Sequence, residues 1–177
     1  MKKLLGKILF ILAVGLFTAC SPLPDPAPSP RVRDNFDTNW RFHLGDLRNA
    51  EQPSFDDSSW RQLNLPHDWA IEGDFSADNP SGPGGGALPG GVGWYRKHFD
   101  IDSTLLSSGK RIYLDFDGVY MLSEVFVNGH STGIRPYGYI SFRRDITPYL
   151  QAGTNVVAVR VDNSEQPNSR WYSGCGI

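Results

Sequence analysis

The stretch from Arg111 to Gly133 constrains the fold of this chain more than any other. Apolar residues occupy alternate positions on both sides of Gly118, which is the period of a half-buried β-strand. Asn128 and Gly129 then supply the dipeptide most typical of a two-residue hairpin turn, because both residues tolerate a positive φ. Since apolar residues lie on both faces of this stretch, we expect it to lie inside a sheet that packs on a second layer. The pattern predicts the core of an all-β domain.

The rest of the chain repeats this pattern. Residues 94–101 and 156–161 predict two further strands, and the second is apolar enough to be central in its sheet. About eight short strands separated by turn residues are typical of a β-sandwich or jelly roll. The 19 glycines and 13 prolines fit a domain rich in loops. The longest loop, residues 70–92, is of a kind that is commonly functional or disordered.

Several motifs give the chain a resemblance to a known family. The runs Asp115–Tyr120 and Ser123–Gly129 resemble the N-terminal jelly-roll domain of the family 2 glycoside hydrolases, which include β-galactosidases and β-glucuronidases. Four further segments match that domain in the family's order: residues 65–69, 93–97, 136–139 and 169–174. The resemblance covers residues 34–177. It is strongest to the β-galactosidase-like branch, through the segment Leu-Pro-His-Asp-Trp at 65–69.

The resemblance implies a domain of a larger enzyme. In the family, the motif at Gly176-Ile177 continues into a final strand, and an immunoglobulin-like domain and a catalytic barrel follow. We therefore expect a jelly roll that is truncated before its last strand. It would act with those C-terminal domains of the same chain on a β-galactoside or related glycan. The alternative is a free-standing, lipid-anchored carbohydrate-binding module, and the downstream reading frame would separate the two.

The acidic residues do not indicate a catalytic pair. Retaining glycosidases need two carboxylates about 5–5.5 Å apart, one as nucleophile and one as acid/base. Beyond the N-terminal 30 residues the glutamates are spread over predicted strands and loops: Glu51, Glu72, Glu124 and Glu165. The histidines at 43, 98 and 130 are too scattered to indicate a metal cluster. We expect no catalytic machinery, no cofactor and no metal in this part of the protein.

A candidate sugar-binding segment lies near the end of the chain, at Asn168, Arg170 and Trp171. Hydrogen-bond donors beside a flat apolar ring suit the hydroxyls and the apolar face of a sugar. By resemblance, this loop and the loop at Gly90–Gly93 approach the barrel's active-site pocket in the intact enzyme. For Arg170, a sugar-facing role and an interdomain salt bridge are both open. Tyr137 and Tyr139 are interpreted as packing residues.

His67 and Asp68 invite a catalytic interpretation, as a general base with the residue that orients it. Adjacent residues on an extended segment point to opposite faces, however, so the two cannot easily act on one substrate atom. A structural turn after Leu65-Pro66 is the favoured interpretation.

The N-terminus is typical of an exported lipoprotein. Lysines at 2, 3 and 7 precede an apolar segment, residues 8–17, and Ala19-Cys20 resembles a lipobox in which Cys20 is lipidated. An ordinary secretory cleavage site with an incidental cysteine is the alternative. Residues 21–33, with five prolines between 21 and 30, then predict an extended tether before the domain at 34–177. The expected location is the periplasm or outer membrane.

Net charge bears on the possible binding partners, and cysteine content bears on possible disulfides. A net charge of −2 argues against nucleic acid as a partner. Only Cys20 and Cys175 are present, so a lipidated Cys20 would leave Cys175 without an intramolecular partner. We expect Cys175 to be a buried thiol and not a catalytic residue.

Overall fold

A computed structural model describes residues 31–79, 81–165 and 174–177. Residues 35–177 form one globular unit built from two antiparallel sheets. The strands are β1 (Trp40–Leu44), β2 (Arg61–Leu63), β3 (Gly91–Ile101), β4 (Tyr113–Phe116), β5 (Ser123–Val127), β6 (His130–Arg135), β7 (Phe142–Asp145) and β8 (Gly153–Asn163). The first sheet has the order β2-β1-β3-β8-β5-β6, and the second contains β4 and β7. This architecture confirms the predicted all-β sandwich.

Helical structure in the described residues is limited to short segments. One α-helix, α1 (Ser103–Ser107), follows β3, and its first turn is capped by the Asp102 carboxylate. Single 3-10 turns lie at Trp69–Glu72, Pro83–Gly85 and Thr147–Tyr149. None of the helices in the described ranges is long and apolar enough to cross a membrane.

The core lies between the two sheets, and β8 is its centre. This strand pairs with β3 along its whole length and with β5 on its other side, as predicted for residues 156–161. Alternate β8 side chains at Val157, Val159 and Val161 are fully buried against the second sheet. Tyr95 of β3 and Val125 of β5 lie on the same face, because residues directly opposite in a ladder share a face.

The stretch that dominates the sequence is divided between the two sheets. Asn128 and Gly129 have φ of +50° and +83° and join β5 to β6, which confirms the predicted hairpin. The upstream half of the stretch, which forms β4, does not join this hairpin and pairs instead with β7 in the second sheet. The chain therefore changes sheets between 117 and 122, which alternation alone does not reveal.

The outer face of the six-stranded sheet is covered by residues 45–60. Trp60 and Ala50 pack there on Trp94 and Ala158. Asp57 is buried and accepts hydrogen bonds of 2.8 Å from Arg96 Nε and from His98 Nε2, with Arg41 as a third partner. Burial alone would raise the pKa of Asp57, but the hydrogen bonds from Arg96 and His98 outweigh it and hold that pKa below its usual range.

The long loop at 70–92 is held by local hydrogen bonds. Asn79 Nδ2 donates to the carbonyls of Asp74 and Ala87, at 3.0 and 2.8 Å. Ser81 Oγ donates to the Leu88 carbonyl at 2.7 Å. These side-chain bonds add to backbone bonds within the loop, such as the one from Ser76 N to the Ala87 carbonyl at 3.0 Å.

Candidate functional site

The sugar-binding residues that the sequence predicts, Asn168, Arg170 and Trp171, lie outside the described residues. So does the lipidation candidate Cys20. All four stay predictions. The structure does describe both ends of the segment that carries the three sugar-binding candidates, at residues 163–165 and 174–177, which we call the two stems. The stems fix where that segment starts and returns.

The first stem begins at the end of β8. Asn163 is buried, and its Nδ2 donates to the Gly174 carbonyl at 2.9 Å and to Cys175 Sγ at 2.8 Å. One side chain therefore ties the first stem to the second. Asn163 also pairs with Gly91 in the β3–β8 ladder. The 90–93 segment thus lies at the same end of the sheet as the stems, although Gly91–Gly93 belong to β3 and not, as predicted, to the preceding loop.

The second stem is inserted between two other segments. On one side, His67 N donates to the Ile177 carbonyl at 2.8 Å and Trp69 N donates to the Cys175 carbonyl at 3.0 Å. On the other side, Tyr120 and Gly176 exchange backbone hydrogen bonds of 2.9 and 3.0 Å. The Leu-Pro-His-Asp-Trp motif and the 115–120 motif therefore serve as the two walls that hold the stem.

Gly176 is required by this close approach. Its φ is +141°, a conformation that residues with a Cβ rarely adopt. A Cβ at this position would lie 2.2 Å from the His67 carbonyl oxygen and 2.5 Å from the Tyr95 hydroxyl. No side chain fits between these atoms without a shift of the backbone.

Asp68 has a structural role, as the sequence favoured. Its Oδ1 accepts from Ala70 N at 2.8 Å, which caps the 3-10 turn Trp69–Glu72. The same oxygen accepts from Cys175 N at 2.9 Å. Asp68 thus connects the motif at 65–69 to the second stem.

His67 belongs to a separate polar network on the other side of the motif. Its Nδ1 lies 2.7 Å from the Tyr95 hydroxyl, and its Nε2 lies 2.7 Å from Arg61 Nη2 and 3.2 Å from Glu72 Oε2. Burial raises the pKa of Tyr95 well above its ordinary value, and the nearby Asp68 charge adds to the effect. The Tyr95 hydroxyl therefore stays protonated and holds the His67 ring in place.

Cys175 is a buried thiol, as predicted. Burial raises the pKa of Cys175 to about 11, and the hydrogen bond from Asn163 offsets only part of that rise. Because the thiolate is the nucleophile, a thiol that stays protonated at neutral pH is inert. Cys175 therefore contributes to packing of the stem.

Three tyrosines beside the second stem, Tyr120, Tyr137 and Tyr139, form what we call the aromatic rim. A cavity of about 400 Å³ there is bordered by Tyr120, Gly138 and the stem itself. Tyr139 meets Tyr120 edge-on, with ring centroids 5.3 Å apart, and Tyr137 lies 5.5 Å from Tyr139. Gly138 permits this contact, since a Cβ there would lie 2.5 Å from Tyr120 Cδ2.

The rim was only partly predicted. Tyr137 and Tyr139 pack against other rings, as expected, yet they remain 46% and 39% exposed. A tyrosine ring is a flat apolar surface with a hydroxyl at its edge, a combination that suits a sugar ring. The Pro-Tyr-Gly-Tyr run at 136–139 was the available signal for such a surface.

Comparisons with known proteins agree with this geometry. Residues 86–176 match the family described as glycosyl hydrolases family 2, sugar binding domain. A β-galactosidase of Bacteroides ovatus is 68% identical over 150 residues, which cover 84% of this chain and 17% of the relative.

Solved structures give the same result. A β-glycosidase from Bacteroides vulgatus is 50% identical with a TM-score of 0.76, and the match covers 80% of this chain and 18% of that one. A Bacteroides uniformis β-glucuronidase is 29% identical with a TM-score of 0.69, over 81% of this chain and 16% of that one. The chain thus spans less than a fifth of the length of these relatives. It belongs to glycosyl hydrolase family 2, through that family's sugar binding domain.

Proposed function

We propose that this chain is the N-terminal, non-catalytic domain of an exported family 2 glycoside hydrolase that acts on β-galactosides. The observation that carries the proposal is the anchoring of the second stem to family motifs at 65–69 and 115–120, with Asn163 tying the first stem to the second. Asn163, in the first stem, pairs with Gly91, so the stems lie at the same end of the sandwich as the 90–93 segment. The 68% identity to a β-galactosidase supports the choice of substrate.

The contacts of three glutamates support the non-catalytic role. Glu72 forms an ion pair with Arg61, Glu124 accepts from the Ser131 hydroxyl, and Glu51 accepts from Gln52. Burial alone would raise the pKa of Glu72, but hydrogen bonds from Arg61 and His67 outweigh it and lower that pKa. A general acid for glycoside cleavage needs the opposite shift. Glu72 is therefore unsuited to protonate a leaving group.

The role of the domain is to complete a sugar site. Arg170 and Asn168 supply donors for sugar hydroxyls, and Trp171 supplies an apolar face. The exposed rings of Tyr137 and Tyr139 extend the same kind of surface on the second stem's side. A pocket divided between this domain and a barrel leaves each part with few contacts of its own.

The test uses the chain alone. We expect no hydrolysis of aryl β-galactosides or aryl β-glucuronides by the purified chain. Galactose should bind with at most millimolar affinity, about −4 kcal/mol, because a few polar contacts barely exceed the entropic cost of association. Micromolar binding would instead favour the free-standing carbohydrate-binding module. A downstream reading frame that encodes no barrel would do the same.

We also propose that Cys20 carries a lipid that anchors the protein on the periplasmic side of a bacterial membrane. The Ala19-Cys20 junction after an apolar segment, followed by a proline-rich stretch, supports it. Cells that express the protein would be labelled with a palmitate analogue, with Cys20→Ala as the comparison. Label that persists in the variant would contradict the proposal.

A further inference from the structure

Two arginines on neighbouring elements lie close together. Arg135 is the last residue of β6, and Arg144 lies in β7 of the other sheet. The connection between β6 and β7 carries Tyr137 and Tyr139. Arg144 Nη2 reaches the Gly133 carbonyl, two residues before Arg135, so the two arginines lie near each other.

Both side chains point into the space between the sheets. Arg135 pairs with Ser123 and Arg144 pairs with Leu114, and both partners are buried on the inner face. Residues directly opposite in an antiparallel ladder share a face, so the arginines share it too. Arg144 Nη2 donates to the Gly133 carbonyl at 3.1 Å and thereby reaches from β7 across to β6.

Each of the two guanidinium groups has a nitrogen without an acceptor. The Nε atoms of Arg135 and Arg144 are buried with no hydrogen-bond partner, and neither residue forms an ion pair with a carboxylate of the described ranges. Burial lowers the pKa of Arg144, and the neighbouring Arg135 lowers it further. A partly buried cation without a counter-charge is unfavourable, since burial costs a charge its hydration.

The chain itself offers little further counter-charge. The Asp115 carboxylate is already bound by another arginine. Arg143, which precedes Arg144 on β7, faces the other way and binds Asp115 with two nitrogens. Outside the described ranges the sequence contains one acidic residue, Asp25. A bound anion is one source of negative charge for the two arginines that can be tested directly.

We propose that Arg135 and Arg144 together bind an oxyanion, and that its source is the carboxylate of an acidic sugar. Guanidinium forks match the geometry of carboxylate and sulfate oxygens and form the stronger, charge-assisted hydrogen bonds. The half-exposed rings of Tyr137 and Tyr139, in the connection between the two arginines, favour a sugar as the carrier. The choice of a sugar as carrier rests on the proposed function in glycoside binding, whereas the oxyanion site, and with it the choice of an acidic sugar over the neutral galactoside, rests on the arginine pair alone.

The experiment measures binding to the whole chain by calorimetry at constant ionic strength. The probes are glucuronate, galactose and sulfate. The variants Arg135→Gln and Arg144→Gln each remove one charge and keep most of the side chain. Arg143→Gln is the matched control, because this neighbour on the same strand already has a carboxylate partner. Circular dichroism verifies that each variant is folded.

We expect glucuronate to bind more tightly than galactose or sulfate, and each of the two test variants to weaken it at least tenfold. Arg143→Gln should leave its affinity within twofold of wild type. Sulfate binding that matches glucuronate and depends on both arginines would retain the oxyanion site and overturn the sugar. No binding of either anion, or equal loss in the control, would overturn the site itself. Weak binding of galactose in every variant would leave the proposed function intact.

Discussion

Replacement of Asp68 tests whether the second stem is held as described. Oδ1 of Asp68 accepts from both Ala70 N and Cys175 N, at 2.8 and 2.9 Å. In Asp68→Ala the 3-10 turn loses its cap, and the N–H of the buried Cys175 loses its acceptor. Loss of a cap costs about 0.5–2 kcal/mol, and an unsatisfied buried donor costs about 1–3 kcal/mol. We expect the free energy of unfolding to fall by about 2–4 kcal/mol.

The matched variant is Asp68→Asn. Its side-chain oxygen can occupy the position of Oδ1 and accept both bonds, so we expect a loss below about 1 kcal/mol. Urea unfolding followed by tryptophan fluorescence measures both variants. Amide hydrogen exchange at Cys175 should accelerate in the alanine variant, because the stem opens locally before the domain unfolds. Equal stability of the two variants would refute the role assigned to Oδ1.

Two other parts of the structure give clear expectations. Asp57→Ala leaves the fully buried Arg96 without its carboxylate partner and should cost about 3–5 kcal/mol, whereas Asp115→Ala, in a more exposed pair, should cost much less. Because the pKa of Asp57 is lowered on folding, its contribution is present above the carboxyl's unfolded pKa of about 4 and is lost as the pH falls through the folded value. The Asp57→Ala variant should lack that acid-dependent component in urea titrations at different pH. Cys175, with a pKa of about 11, should resist a thiol reagent at pH 8 in the folded protein and react once urea unfolds it; fast reaction without urea would contradict its burial.

The sequence predicted the elements that depend on local pattern. The apolar composition of residues 156–161 identified β8 as central, and the positive φ tolerated by Asn128 and Gly129 placed the hairpin between β5 and β6. The turn after β7 has a contact of the same local kind, because the Asp145 carboxylate accepts from Thr147 N at 3.1 Å, although Ile146 occupies the cap position itself. These signals are local because each depends on residues a few positions apart.

Non-local pairing could not be predicted in the same way. Alternation is identical whether β4 pairs with β5 or with β7, so the change of sheets at 117–122 has no sequence signal of its own. The Asp57–Arg96 contact joins residues 39 positions apart, and no local pattern around either residue indicates that they pair. The 39–46% exposure of Tyr137 and Tyr139 likewise depends on how Tyr139 meets Tyr120.

The candidate site was reached from the sequence mainly through the family resemblance. Residue types alone suggested that Arg170 and Trp171 suit a sugar, but not where the segment lies. The structure supplies the physical reason for the motifs beside it. Gly176 leaves room for the His67 carbonyl, and Asn163 joins the two stems.

The most direct test of the account is the kinetic effect of Arg170→Ala in the intact enzyme that carries this domain. If Arg170 faces the sugar, we predict that kcat/KM for an aryl β-galactoside falls at least tenfold, about 1.4 kcal/mol of transition-state stabilisation, while Tm stays within about one degree of wild type. If Arg170 only bridges domains, Tm falls and the kinetics of the folded enzyme are unchanged. The second result would contradict the claim that this domain completes the sugar site.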